Sequence, residues 1–101
     1  MTAHGPSEIS IVRKIVAKLN AMPETYARKS HGSAYSSGWP DILGAHRGRP
    51  LALEVKRPGG KATPLQLREL SRWREAGAIV GVVTSWEQVE RFLEQRLDES
   101  R

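Results

Sequence analysis

The sequence predicts an α/β domain in which helices flank one mixed β-sheet, in the element order αβββαβα. Three observations carry this prediction. Apolar residues at helical spacing open the chain, short apolar runs separated by turn-rich segments follow, and a well-capped helix then precedes a β-branched run. At 101 residues, we expect one domain over 1–101 with an ordered core at about 7–97.

The first element is a helix predicted from about Glu8 to Met22. Its apolar residues recur at steps of three and four, which is the spacing of a helix with one buried stripe. Ser7 is a suitable N-cap, and Pro23 ends the helix. The stripe consists of Ile9, Val12, Ile15, Val16 and Leu19.

Two strands are predicted near the middle of the chain, at Asp41–Ala45 and Leu51–Lys56. The linker between them, His46–Pro50, is rich in turn-forming residues and has the length of a hairpin loop, which favours an antiparallel pair. The preceding segment, from Thr25 to Gly38, is compatible with a short strand or an irregular loop.

The second helix has two start signals, a capping box formed by Thr63 and Gln66 and a proline at its first position. It should run to about Ala76 and be followed by a buried strand at Ala78–Thr84. Because this helix crosses over between two strands, those strands should be parallel. A capping box at Ser85 opens the last helix, which is expected to reach about Leu97.

Composition excludes several classes of protein. The chain has no cysteine, which removes disulfides, thiolate metal sites and cysteine nucleophiles. It lacks both a membrane span and a signal peptide, so we expect a cytoplasmic protein. The net charge is +5, and residues 1–61 hold ten basic against four acidic side chains. This bias indicates a polyanionic partner such as nucleic acid.

The chemistry-bearing residues are Asp41, Glu54 and Lys56. On a strand, Glu54 and Lys56 point to one side while Val55 points to the other. The hairpin can place Asp41 beside Glu54, and two adjacent carboxylates repel each other unless a cation or a proton lies between them. A hard divalent ion prefers oxygen ligands, which predicts a magnesium site. Lys56 could then hold or polarise an attacking water.

Asp41, Glu54 and Lys56 also have a structural interpretation, as do Gln66, Glu8 and the tryptophans, which are the other candidates for a site. Glu54 and Lys56 are compatible with a surface salt bridge, and Asp41 with a turn cap after Pro40. Gln66 is already accounted for by the capping box, and Glu8 by the dipole of its helix. Trp73 and Trp86 suit the core or an interface, whereas Trp39, next to the acid, is a candidate for substrate contact.

Three segments together resemble the VRR-NUC family of the PD-(D/E)xK nuclease superfamily. They are Gly38-Trp39-Pro40-Asp41, Leu53-Glu54-Val55-Lys56 and Thr63-Pro64-Leu65-Gln66, which follow a helix that carries Glu8. The resemblance covers about Ser7 to Leu97. It implies a restriction-endonuclease-like core and a phosphodiesterase that uses Mg²⁺ or Mn²⁺. Asp41, Glu54 and the Val55 carbonyl would bind the metal, Glu8 would complete its ligands, Lys56 would serve the water, and Gln66 would lie near the site.

The resemblance also implies the partners. Stand-alone domains of this family are similar to Holliday-junction resolvases, act as homodimers on branched DNA and occur in phages and bacteria. The segment Arg28–Ser37 follows no family pattern. Non-catalytic DNA-binding or assembly modules and basic RNA-bound structural proteins are the alternatives. The candidates for phosphate contact are Arg13, Lys14, Lys18, Arg28, Lys29, Arg47, Arg49, Arg57 and Lys61.

Overall fold

The computed structural model describes residues 5–30 and 38–99, with side chains up to residue 94. Within these ranges the element order αβββαβα is confirmed. Residues 31–37 of the segment Arg28–Ser37 and the side chain of Leu97 lie outside the described part. The elements are α1 Glu8–Asn20, β1 Thr25–Lys29, β2 Ile42–His46, β3 Arg49–Val55, α2 Pro64–Glu75, β4 Ile79–Val83 and α3 Trp86–Glu99.

The four strands form one mixed sheet in the order β1-β2-β3-β4. β1, β2 and β3 are antiparallel neighbours, and β3 and β4 are parallel, as the crossover helix predicts. The main core joins α1 and α3 to the sheet through residues such as Ile15, Leu53 and Leu93. A smaller cluster joins α2 to the sheet through Ala52, Leu70 and Val80. Helices therefore pack on the sheet through two separate apolar clusters.

The first helix begins and ends by local rules. Ser7 is the N-cap, and its hydroxyl accepts a hydrogen bond from the Ser10 N–H at 3.1 Å. The helix ends at Asn20 and not at Met22 as predicted, because Pro23 disfavours a helical conformation in the residue before it. The prediction that Ile9 belongs to the buried stripe is wrong. It is 55% exposed, and Ile11 is buried instead.

The hairpin between β2 and β3 is tighter than the sequence predicted. Only Arg47 and Gly48 lie between the strands, and His46 pairs with Arg49. Both turn residues have positive φ, 51° and 83°, which is the requirement of a type I′ turn. The predicted five-residue linker therefore contributes three of its residues to the strands.

The segment from Thr25, which the sequence left open between a strand and a loop, begins with strand β1. A side chain of α1 covers the outer edge of this strand. The Asn20 side chain donates to the Ala27 carbonyl and accepts from the Ala27 N–H, each at 2.9 Å. On the inner side, Ala27 lies opposite Gly44. A Cβ at Gly44 would come within 2.2 Å of the Tyr26 carbonyl oxygen, so this close pairing requires glycine.

Of the two predicted capping boxes, the one at Thr63 is complete and the one at Ser85 forms only in part. In α2, Thr63 Oγ1 accepts from the Gln66 N–H and Gln66 Oε1 accepts from the Thr63 N–H. In α3, Ser85 Oγ accepts from the Gln88 N–H, whereas Gln88 Oε1 accepts from Thr84, one residue before the cap. Trp86 packs in the core, as predicted. Within the described ranges, none of the helices combines the length and apolar character that a membrane span requires.

His46 is a buried histidine at the end of the sheet that carries the β2–β3 turn. It is 2% exposed, and its Nδ1 lies 2.7 Å from Thr25 Oγ1. Burial lowers the pKa of His46, Arg47 lowers it further, and Glu24 opposes both effects. The folded protein therefore holds His46 neutral at a pH where the unfolded chain begins to bind a proton.

This pKa predicts a loss of stability in acid. As the pH falls below the ordinary histidine pKa of 6.5, the unfolded chain takes up the proton first. Protonation therefore stabilises the unfolded chain, and the free energy of unfolding decreases. We expect the difference in unfolding free energy between wild type and His46→Asn to shrink between about pH 7 and pH 5. Urea titrations across that range measure this difference, and a constant difference would contradict the assignment.

Candidate active site

Two carboxylates meet where β2 begins and β3 ends. Asp41 directly precedes β2, and Glu54 is the penultimate residue of β3. Because Ile42 pairs with Leu53, the antiparallel register brings Asp41 next to Glu54. Asp41 Oδ2 accepts a hydrogen bond from the Val55 N–H at 2.8 Å. This contact fixes the Asp41 carboxylate against the end of β3.

The segment that carries Asp41 is held from two sides. At the end of β1, the Ser30 N–H donates to the Asp41 carbonyl at 2.8 Å, and the Ser30 hydroxyl donates to the Pro40 carbonyl. On the other side, Gly38 lies against α2 with φ +83°, and a Cβ there would come within 2.9 Å of the Leu65 carbonyl oxygen. Sequence reasoning missed Ser30, because nothing local distinguishes it from the other serines of its segment.

Glu54 is a buried acid with one unsatisfied oxygen. The residue is 2% exposed, and its Oε2 lies 3.4 Å from Lys56 Nζ. The other oxygen, Oε1, is buried without a hydrogen-bond partner. Glu54 and Lys56 therefore share a side of β3, as the strand period predicts. Their ion pair is not a surface salt bridge, since the Glu54 side chain is inaccessible to solvent.

The surroundings of Glu54 favour its protonated form. Burial, and after it the negative charge of Asp41 and a hydrogen bond with the Asp41 side chain, raise the pKa of Glu54 from 4.5 to about 8. Lys56 lowers it but does not cancel these effects. The metal-free protein at neutral pH therefore keeps a proton on the acid pair. A cation bound between the two carboxylates would reverse this preference.

The donor atoms fit a hard divalent metal ion such as Mg²⁺ or Mn²⁺. The buried Oε1 of Glu54 is an acceptor that lacks a donor, and a cation would satisfy it. Asp41 retains a second carboxylate oxygen beside the one that accepts from Val55. The carbonyl of Val55 faces the same side as its N–H, toward Asp41, because both groups of a strand residue point the same way. These three residues would hold the ion.

Glu8 and Gln66 are not assembled with this pair. Glu8 is exposed in the first turn of α1, and the described residues contain no cluster of three or more acids and histidines. The start of α1 lies at the same end of the sheet as the acid pair. Ile11 of α1 lines a groove together with Ser85, which follows β4. The last residue of β4, Val83, accepts a hydrogen bond from the Lys56 N–H. The Gln66 side chain is bonded to Thr63 in its capping box. Their roles in the site stay predictions.

The basic candidates are spread over both ends of the sheet, the surface of α1 and strand β1. Those at the acid-pair end of the sheet include Lys29, which pairs with Ile42, and the exposed Arg57 and Lys61, which follow β3. Arg47 and Arg49 lie at the far end, where Arg47 pairs with Glu24 at 3.7 Å and Arg49 donates to the Gly77 carbonyl. Arg13, Lys14 and Lys18 are exposed along α1, and Arg28 donates to the Tyr26 hydroxyl.

Comparison with solved structures identifies the fold. Family models and curated proteins gave no match. A solved structure described as a VRR_NUC domain superposes with a TM-score of 0.69 and 35% sequence identity. The alignment covers 88% of this chain and 97% of that one. The identity, the near-complete coverage of both chains and the shared α/β architecture establish that the chain belongs to the VRR-NUC domain family and has its nuclease-like fold.

Proposed function

We propose that this protein is a metal-dependent, structure-selective endonuclease that hydrolyses phosphodiester bonds in branched DNA, such as four-way junctions. The observation that carries the proposal is the buried Glu54, with one unsatisfied oxygen, between Asp41 and Lys56. Stability alone does not account for this arrangement, because a buried unsatisfied acid costs folding free energy. Buried acid pairs with shifted pKa values are typical of functional sites.

The residues divide the chemistry among them. Asp41, Glu54 and the Val55 carbonyl would hold Mg²⁺ or Mn²⁺, and the ion would supply stabilisation of the negative charge that develops on the phosphoryl oxygens. Lys56 orients the attacking water and offsets the charge of the phosphate. Its ammonium lies 3.4 Å from Glu54 Oε2, which fixes it beside the metal ligands. The basic side chains around this end of the sheet bind the DNA backbone.

A homodimer is part of the proposal, since paired cuts at a junction require two active sites with fixed spacing. Exposed apolar residues on the first helix and the last strand support it. Ile9 is 55% exposed and Val82 is 39% exposed. We propose that the dimer acts on DNA in the cytoplasm of a bacterium or of a phage-infected cell, as the family resemblance implies.

Cleavage assays on labelled DNA test this function. We expect wild type to cut a four-way junction or a flap with Mg²⁺ or Mn²⁺, to cut continuous duplex poorly, and to cut nothing in EDTA. Asp41→Asn should abolish cutting while retaining DNA binding, because it weakens metal binding and leaves the basic side chains that contact the DNA backbone in place. Sedimentation of the same sample checks the dimer. Tight binding without cutting in any metal would instead support a non-catalytic DNA-binding module.

A further inference from the structure

An exposed tryptophan lies two residues from the metal-ligand candidate Asp41. Trp39 is 40% exposed, although a large aromatic side chain is usually more buried than this. The Cα atoms of Trp39 and Asp41 are separated by at most about 7 Å, the span of two extended residues. The catalytic mechanism proposed above does not use this indole.

The position of Trp39 is fixed by α2. Its ring makes an edge-to-face contact with Trp73, with ring centroids 5.7 Å apart and an interplanar angle of 76°. Trp73 is in turn oriented by a hydrogen bond from its Nε1 to Glu69 Oε2 at 3.1 Å. In an edge-to-face pair, at least one face of Trp39 is left unstacked by Trp73. The indole is therefore preorganised, and Trp73 leaves one of its faces uncovered.

An open groove of about 430 Å³ runs along this aromatic pair. This volume is in the range of small-molecule sites. The groove is lined by Trp39, Glu69, Arg72, Trp73 and Ala76, and Arg72 is exposed. It thus offers an aromatic face and a guanidinium side by side. Proteins that bind single-stranded nucleic acid use this combination to stack a base and hold its phosphate.

We propose that Trp39 stacks on an unpaired DNA base next to the cleaved phosphate, and that Arg72 holds the adjoining phosphate. The inference rests on the proposed function and specifies its substrate. Inside a continuous duplex both faces of a base are covered by its neighbours, so a base can reach Trp39 only at a branch, flap, gap or end. Successive bases are about 3.4 Å apart along one strand, and the two Cα atoms are within about 7 Å of each other, so the stacked base belongs to a nucleotide near the cut.

The test uses a flap DNA that carries 2-aminopurine as its first unpaired base, together with a continuous duplex that carries the same base in the middle. Binding is followed by fluorescence in EDTA, so the readout does not depend on cleavage. We expect wild type to quench the flap base and not the duplex base. Trp39→Phe keeps a ring and should retain most of the quenching. Trp39→Leu keeps an apolar side chain without a ring and should lose the quenching and roughly tenfold in flap affinity.

Arg72→Gln provides a second variant, because an exposed position on α2 tolerates this change without unfolding. It should weaken flap binding several-fold and leave duplex binding unchanged, whereas the matched control Arg74→Gln, on the same helix, should alter neither. Unchanged quenching in Trp39→Leu would overturn the proposal. So would loss of the dimer in Trp39→Leu with quenching intact, which would make Trp39 an interface residue. Quenching by a wild type that cuts no DNA would uphold the stacking site and reject the nuclease.

Discussion

Replacing Lys56 with alanine is expected to lower the single-turnover rate of DNA cleavage by roughly 10²- to 10³-fold, the usual effect of removing one preorganised donor from an active site. Lys56 is suited to this role because its side chain is only 14% exposed and its Nζ lies 3.4 Å from Glu54 Oε2. The ammonium therefore stands at a fixed place beside the metal ligands, where it can orient a water before the reaction begins.

The loss should appear in the chemical step and not in DNA binding. One phosphate contact among many contributes little to affinity, so we expect the Kd for a junction to change by no more than about threefold. Removing Lys56 also removes a cation that lowers the pKa of Glu54, which weakens metal binding at neutral pH. The rate is therefore measured at saturating metal, where a purely metal-affinity effect disappears.

Two further variants define the role of Lys56. Lys56→Arg keeps the positive charge and should restore part of the rate, because the guanidinium differs in shape and hydrogen-bonding geometry. Arg74→Ala removes a cation from the exposed C-terminal turn of α2 and should leave the rate unchanged. Wild-type cleavage by Lys56→Ala at saturating metal would exclude the lysine from catalysis.

Local signals predicted the parts of the fold that depend on neighbouring residues. The caps at Ser7 and Thr63 are hydrogen bonds over three residues, so their sequence pattern is sufficient. Strand β1 depends instead on partners distant in sequence. Asn20 covers one side of Ala27 and Gly44 allows the close approach on the other. No pattern within residues 25–29 specifies these contacts, so the local sequence is compatible with either a strand or a loop.

The same distinction applies to the site. The period of a strand predicts that Glu54 and Lys56 share a side, and the hairpin predicts that Asp41 lies near them. Neither predicts that Glu54 is inaccessible to solvent, because its burial depends on how the helices pack on the sheet. Ser30 likewise reaches Pro40 and Asp41 only through the pairing of β1 with β2. The chemistry could be predicted from spacing, but the environment that raises the pKa of Glu54 depends on tertiary structure.

Replacing Glu54 with glutamine should stabilise the metal-free protein. The pKa of Glu54 is about 8 in the folded state, against 4.5 for an unperturbed carboxyl, so the unfolded chain loses this proton first as the pH rises. The unfolding free energy of wild type therefore falls between about pH 4.5 and pH 8, and this loss is absent from the variant. We expect Glu54→Gln to be more stable by about 2 to 4 kcal/mol at pH 8 and by almost nothing at pH 4.

Urea unfolding in EDTA at several pH values measures the effect, and a second variant separates the contribution of burial from that of the Asp41 charge. Asp41→Asn removes this negative charge, a smaller cause than burial, and leaves the burial of Glu54 in place. It should therefore stabilise the protein at pH 8 by less than Glu54→Gln does. Added Mg²⁺ should stabilise wild type and have little effect on Glu54→Gln, because binding to the folded state alone raises its stability. A Glu54→Gln variant no more stable than wild type at pH 8 would show that the buried Glu54 carboxyl does not destabilise the metal-free protein. The buried carboxyl would then give no reason to place a metal ion at this position.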